Sequence, residues 1–110
     1  MANKDYWVQR MKTYRQLRMD LIETRMDITD AMENYLETVG ESNDFSIRLD
    51  ELENVILTTR GDLFDLEQIG DFCDVFSLDI MIVKRNVIEN YMLDETIVRV
   101  NYWFQTKKVE

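Results

Sequence analysis

Ten positions near the start of the chain recur at alternating intervals of four and three residues without a slip. They are Trp7, Met11, Tyr14, Arg18, Leu21, Arg25, Ile28, Met32, Tyr35 and Val39, and eight of the ten are apolar. A spacing that averages 3.5 residues is the signature of an α-helix with one apolar seam along its length. Neither Gly nor Pro interrupts the run, and Gly40 stands where a glycine ends a helix. The pattern predicts a helix over about 5–39. At 1.5 Å per residue it is a rod of roughly 50 Å, longer than a compact body built from 110 residues. Part of its seam therefore needs cover from outside the chain, and self-association is the natural expectation.

The two seam arginines choose an orientation. In a parallel pair, Arg18 and Arg25 would each face their own copies across a buried layer. An antiparallel pair reversed about the middle of the run sets Trp7 opposite Val39 of a second copy, Tyr14 opposite Met32, Leu21 opposite Arg25 and Ile28 opposite Arg18. Each arginine then lays its stem on an aliphatic side chain. Charge agrees with this order. Residues 1–25 hold six basic and three acidic groups, a net of +3, whereas the rest of the chain carries −12. Basic residues at a helix N-terminus oppose the macrodipole, a cost that a neighbouring helix can offset.

The remainder reads as smaller elements. Phe45, Leu49, Leu52 and Ile56 follow at 4-3-4 spacing, predicting a second helix over about 46–58. The β-branched run Val55 to Thr59 keeps a short strand open as the alternative. Asp62 suits an N-cap for a third helix with Leu66, Ile69, Cys73 and Phe76 on one face. Beyond Leu78 the period drops to two. Ile80–Val83 reads as a short buried run and Val87–Met92 as a second strand, with Lys84-Arg85-Asn86 and Leu93-Asp94-Glu95 as turns. Val98, Val100, Tyr102 and Phe104 alternate with polar or bulky partners as a half-buried strand does. The expectation is an α+β fold in one domain: a long N-terminal helix, a helical middle over 45–76 with two shorter helices, a three-stranded antiparallel β-meander over 79–104, and a polar tail over 105–110.

What is missing narrows the chemistry. The sequence has no His, no Pro, one Cys and three Gly. No imidazole base, His-ligated metal or Ser-His-Asp arrangement can be assembled. A single thiol forms no internal disulfide or cysteine cage, and Cys73, on an apolar helix face, reads as an inert buried group. No glycine-rich phosphate loop is present. Counting from Asp62, loop positions 3 and 5 are Phe64 and Leu66, so the acidic stretch there fails as a calcium loop. No enzyme activity, cofactor or metal is expected.

No apolar stretch approaches the twenty residues of a membrane span, and the first twenty residues lack a signal-peptide core. The chain reads as a cytoplasmic protein without membrane association. Formal net charge is −9, which argues against direct nucleic-acid binding. The densest acidic residues are Glu23, Asp27, Asp30, Glu37, Glu41, Asp44, Asp50, Glu51 and Glu53. They form a possible acidic binding surface. Together these features suggest a non-catalytic protein that acts by binding another protein, as an adaptor, assembly factor or inhibitor, and that associates with itself through its first helix. Small acidic chains without catalytic motifs are frequent among phage and mobile-element accessory proteins. The alternative is a nucleic-acid mimic that inhibits a nucleic-acid-binding enzyme, as anti-restriction or anti-CRISPR proteins do.

Overall fold

The computed structural model describes residues 4–40, 44–90 and 92–107. Helix α1 spans Lys4–Val39, followed by β1 (Phe45–Leu49), β2 (Val55–Arg60), α2 (Leu66–Phe76), β3 (Leu78–Asn90) and β4 (Glu95–Thr106). The four strands form one antiparallel sheet in the order β1-β2-β4-β3. The fold is α+β, with a long N-terminal helix and an antiparallel sheet. It has four strands and two helices where the sequence suggested three of each.

The 46–58 helix is the first correction: that segment is a β-hairpin. Phe45, Ile47 and Leu49 alternate inward from β1, and Val55, Leu57 and Thr59 do so from β2. Their turn is built by Asp50, whose Oδ1 accepts from the amides of Leu52 at 2.9 Å and Asn54 at 2.8 Å. Those hydrogen bonds hold its carboxyl below the ordinary range, the Asn54 amide contributing most. Glu53 takes the left-handed conformation that closes the turn, with φ 65°. Beyond β2, Gly61 turns the chain at φ 67°.

The second correction concerns the third helix, whose N-cap is Asp65 rather than Asp62. Asp65 accepts from the Gln68 amide while the Gln68 side chain accepts from the Asp65 amide, a closed capping box. Asp62 instead pairs with Arg85 at 2.9 Å. Thirdly, Lys84-Arg85-Asn86 is no turn. These residues pair with Asn101, Val100 and Arg99 inside one continuous strand of 13 residues, so the meander is a single long hairpin grafted onto β2. Its register shifts at a bulge between Ile80 and Ile82. The tip falls near the predicted Leu93-Asp94-Glu95 turn, with Asp94 at φ 51°. Of the expected polar tail, Gln105 and Thr106 belong to β4, and 108–110 lie outside the described residues.

One face of the sheet carries the core. Met32 and Leu36 of α1 and Ile69, Phe72 and Cys73 of α2 lie with Val55, Leu57, Leu78, Val100, Tyr102 and Phe104. Phe72 meets Phe104 edge-on with centroids 5.3 Å apart, and Tyr35 meets Phe76 at 5.7 Å. Burial raises the Cys73 thiol above its ordinary range, in keeping with the inert role expected of it. Side-chain hydrogen bonds add to this packing in tying helix α1 to the body. The Gln68 side chain donates to the Val39 carbonyl at 3.1 Å, and Arg25 donates to the Leu49 carbonyl at 2.7 Å. Gly40 lies so near Phe64 that a Cβ there would sit 3.0 Å from the ring and 3.2 Å from the Leu36 carbonyl oxygen.

Candidate interaction surface

Only the C-terminal part of α1 reaches the core, so the rest projects as an arm. Every residue from Lys4 to Thr24 is exposed. Those 21 residues at 1.5 Å each make about 30 Å of exposed helix. The molecule measures 69 × 41 × 23 Å with a radius of gyration of 19.2 Å. A compact chain of this length would have about 13 Å.

The structure divides the ten seam positions. Met32 is buried, and Tyr35 and Val39 pack against the core, so this end of the seam is satisfied within the chain. Arg25 is half-buried, its guanidinium committed to the Leu49 carbonyl. Trp7, Met11, Tyr14 and Leu21 are 63%, 50%, 58% and 54% exposed. They share the arm's seam face with Arg18. The full-length antiparallel alignment is corrected accordingly: Val39 and Met32 are not free to meet Trp7 and Tyr14 of a second copy.

At the root of the arm the seam runs into a crevice of about 470 Å³ between α1 and the end of the sheet. Its lining is mainly apolar, from Leu21, Ile28, Met32, Val55, Phe76 and Leu78, with Arg25 among them, and Asp50, Glu51 and Glu53 give it an acidic rim. The arm carries the opposite charge. Lys4, Arg10, Lys12, Arg15 and Arg18 outnumber Asp5, Asp20 and Glu23, and among the described residues none of the five is ion-paired.

The acidic residues do not form one surface. Glu23, Asp27, Asp30 and Glu37 line the solvent side of α1, Asp44 stands at one end of β1, and Asp50, Glu51 and Glu53 stand at the other beside the crevice. Glu41 lies outside the described residues.

Two further features escaped the sequence reading. Strand β3 is an edge strand exposed on both faces, so the Ile80–Val83 run expected to be buried is open, as are Val87 and Ile88, because no described strand or helix covers that edge. The sheet face opposite the core is lined by Arg48, Arg60, Lys84 and Arg99, with the Lys84 ammonium 5.6 Å above the Trp103 ring. Period-two alternation along β4 was the available signal for that face. Among the described residues no cluster of His, Cys, Asp and Glu is arranged to hold a metal ion, and no helix is long and apolar enough to cross a membrane.

No family model, curated protein or solved structure matches the chain.

Proposed function

We propose that this is a non-catalytic binding protein, an adaptor or assembly factor that associates with itself through the N-terminal arm of α1 and presents its body to a protein partner. The observation that carries this reading is the arm itself. About 30 Å of helix with large apolar side chains on one face is a poor shape for an isolated chain, since helix stability in water comes chiefly from packing an apolar face. Contiguous apolar patches of this size mark interaction sites. The reading places the protein in the cytoplasm, with no cofactor or catalytic centre.

Sedimentation equilibrium tests it. The wild type is expected to be a dimer or larger at about 100 µM, concentrations at which weak helix pairs form. Replacing Trp7 and Met11 together with Glu should yield monomers with the body's near-ultraviolet circular dichroism retained. A clean 13.3 kDa wild-type monomer under those conditions overturns the reading.

A nucleic-acid mimic remains the second reading, and one observation favours it. Glu23, Asp27, Asp30 and Glu37 recur at helical spacing along one exposed row, with no ion pair among the described residues. Asp27→Lys with Asp30→Lys should then abolish binding to a nucleic-acid enzyme, and that binding should weaken steeply with salt. Insensitivity to both changes eliminates mimicry.

A further inference from the structure

We infer that the crevice at the root of the arm is the receptor for the tip of the same arm from a second copy, so that two chains exchange arms around a twofold axis. This rests on the self-association reading and specifies its geometry.

The alignment follows from what the body blocks. From Arg25 onward the seam is increasingly engaged by the chain's own sheet, so an incoming helix can overlap α1 only from its N-terminus to the crevice at Ile28. Antiparallel seams interlock when each four-three position meets the opposite kind. Setting residue i of one arm opposite 25 − i, 32 − i or 39 − i of the other meets this condition. Of these, 39 − i drives Trp7 against the buried Met32 and 25 − i leaves the crevice empty, so 32 − i is the alignment that uses the window from residue 4 to Ile28. Met11 then faces Leu21, Tyr14 faces Arg18, and Trp7 faces Arg25 with Leu21 and Ile28 to either side. Arg18, a liability in a purely aliphatic layer, meets the face of Tyr14, which attracts a cation, while Arg25, its guanidinium held by the Leu49 carbonyl, offers its stem to Trp7. Trp7, the largest side chain of the arm, arrives at the mouth of the crevice.

Charge supports the same placement. Lys4 and Arg10 flank Trp7 on the helix surface, and this tip meets the rim formed by Asp50, Glu51 and Glu53. The unfavourable basic charge at the start of α1 is thereby answered by carboxylates of the other chain. Area is also sufficient. Trp7, Met11, Tyr14 and Leu21 are each at least half exposed, and covering them removes on the order of 100 Å² apiece on each chain. With Leu17, Ile22 and the arginine stems added, the pair clears the roughly 1,000 Å² expected of a specific interface.

Cysteine cross-linking tests the geometry in a Cys73→Ala background, the full chain being used throughout. Met11→Cys with Leu21→Cys in one chain should oxidise to a covalent dimer, whereas either single variant should not. Separately, Glu51→Lys with Glu53→Lys should weaken dimerisation at least tenfold although it lowers the chain's net negative charge. Glu33→Lys with Glu37→Lys, the same charge change on the outer face of α1, should not weaken it. A covalent dimer from Met11→Cys alone means parallel arms and overturns the inference. A sedimenting dimer that neither cross-links between 11 and 21 nor responds to the rim change overturns it while leaving self-association standing. A monomer at every concentration overturns both.

Discussion

Two leucines on α1 separate what the helix does for its own fold from what it does for a partner. Leu36 is fully buried between the sheet and α2, and Leu21 is 54% exposed on the arm. Leu36→Ala removes three methylene-sized groups from a packed core and leaves a cavity, a cost of about 3 kcal/mol. For a domain of this size that lowers Tm by roughly 12 °C, at any protein concentration. Leu21→Ala leaves the monomer within about 0.5 kcal/mol of wild type, because alanine is an excellent helix former and little packing is lost. Its effect falls on association. Two Met11–Leu21 layers per dimer, each losing about 1 kcal/mol of burial, weaken the dimer by roughly 2 kcal/mol, or about 30-fold. The assay is thermal unfolding at about 1 and 100 µM. Mass action shifts a dimer's unfolding free energy by about 2.7 kcal/mol over that hundredfold range. Wild type should show the shift, Leu36→Ala should show it from a lower baseline, and Leu21→Ala should lose most of it. A Leu21→Ala protein as unstable as Leu36→Ala when dilute would refute the division of the helix into core and arm.

Other outcomes follow from the sheet and its turns. Val100 is buried on the core face and Arg99 is exposed directly opposite Arg60, so Val100→Asp should unfold the chain while Arg99→Asp changes stability by less than about 0.5 kcal/mol, in the favourable direction; equal Tm losses would show the strand phase to be wrong. The lowered pKa of Asp50 means its turn contributes fully above the ordinary carboxyl value of 3.8 and loses that contribution as pH falls through the lower folded value. An NMR titration of Asp50 with a midpoint at or above 3.8 would contradict the hydrogen bonds assigned to it. Cys73, buried with its thiol pushed up, should react with a thiol reagent at pH 8 only as fast as the chain unfolds. Stoichiometric labelling within seconds in native buffer would show that α2 does not cover it.

The parts of the fold that local chemistry decides were legible. Helix α1 runs from Lys4 to Val39 against an expected 5–39, because its seam is unbroken; Gly40 follows it without the left-handed φ of a C′ glycine and is needed instead where the chain presses against Phe64. The inward set Val98, Val100, Tyr102 and Phe104 was likewise written as alternation. Of the β1–β2 hairpin only β2 was legible, as the short-strand alternative over Val55 to Thr59; β1 was not, because Phe45, Leu49, Leu52 and Ile56 mimic helical spacing while its true inward set is Phe45, Ile47 and Leu49. The hairpin's turn contains neither Gly nor Pro. The signal lay in Asp50, which closes a turn on amides two and four residues ahead, and in the β-branched Val55-Ile56 after it. The candidate surface was legible as a pattern but not as an allocation. Nothing local distinguishes Met11 from Met32, and only the position of the sheet makes one arm and the other core.

The misread Lys84-Arg85-Asn86 bears on which surface suits the proposed association. Strand β3 offers a second route to a dimer: 13 residues at a sheet edge, apolar on both faces, with a row of backbone groups open to another strand. Left unguarded, such an edge pairs indiscriminately and grows fibrils. Here three polar residues, two of them cationic, interrupt its centre, and the Ile80–Ile82 bulge breaks the regular pleat at the start of its longest aliphatic run. In an antiparallel pair of β3 strands centred on those residues, cations from both chains would crowd the same few ångströms, a like-charge cost at each cross-strand contact. The arm has the opposite character. From Trp7 to Leu21 its seam is interrupted by Arg18 alone, which has an aromatic partner in the arm-exchanged alignment, and its charge complements the rim it would meet. One exposed apolar element is thus marked against self-pairing and the other for it, which is why association is assigned to the helix rather than to the sheet edge.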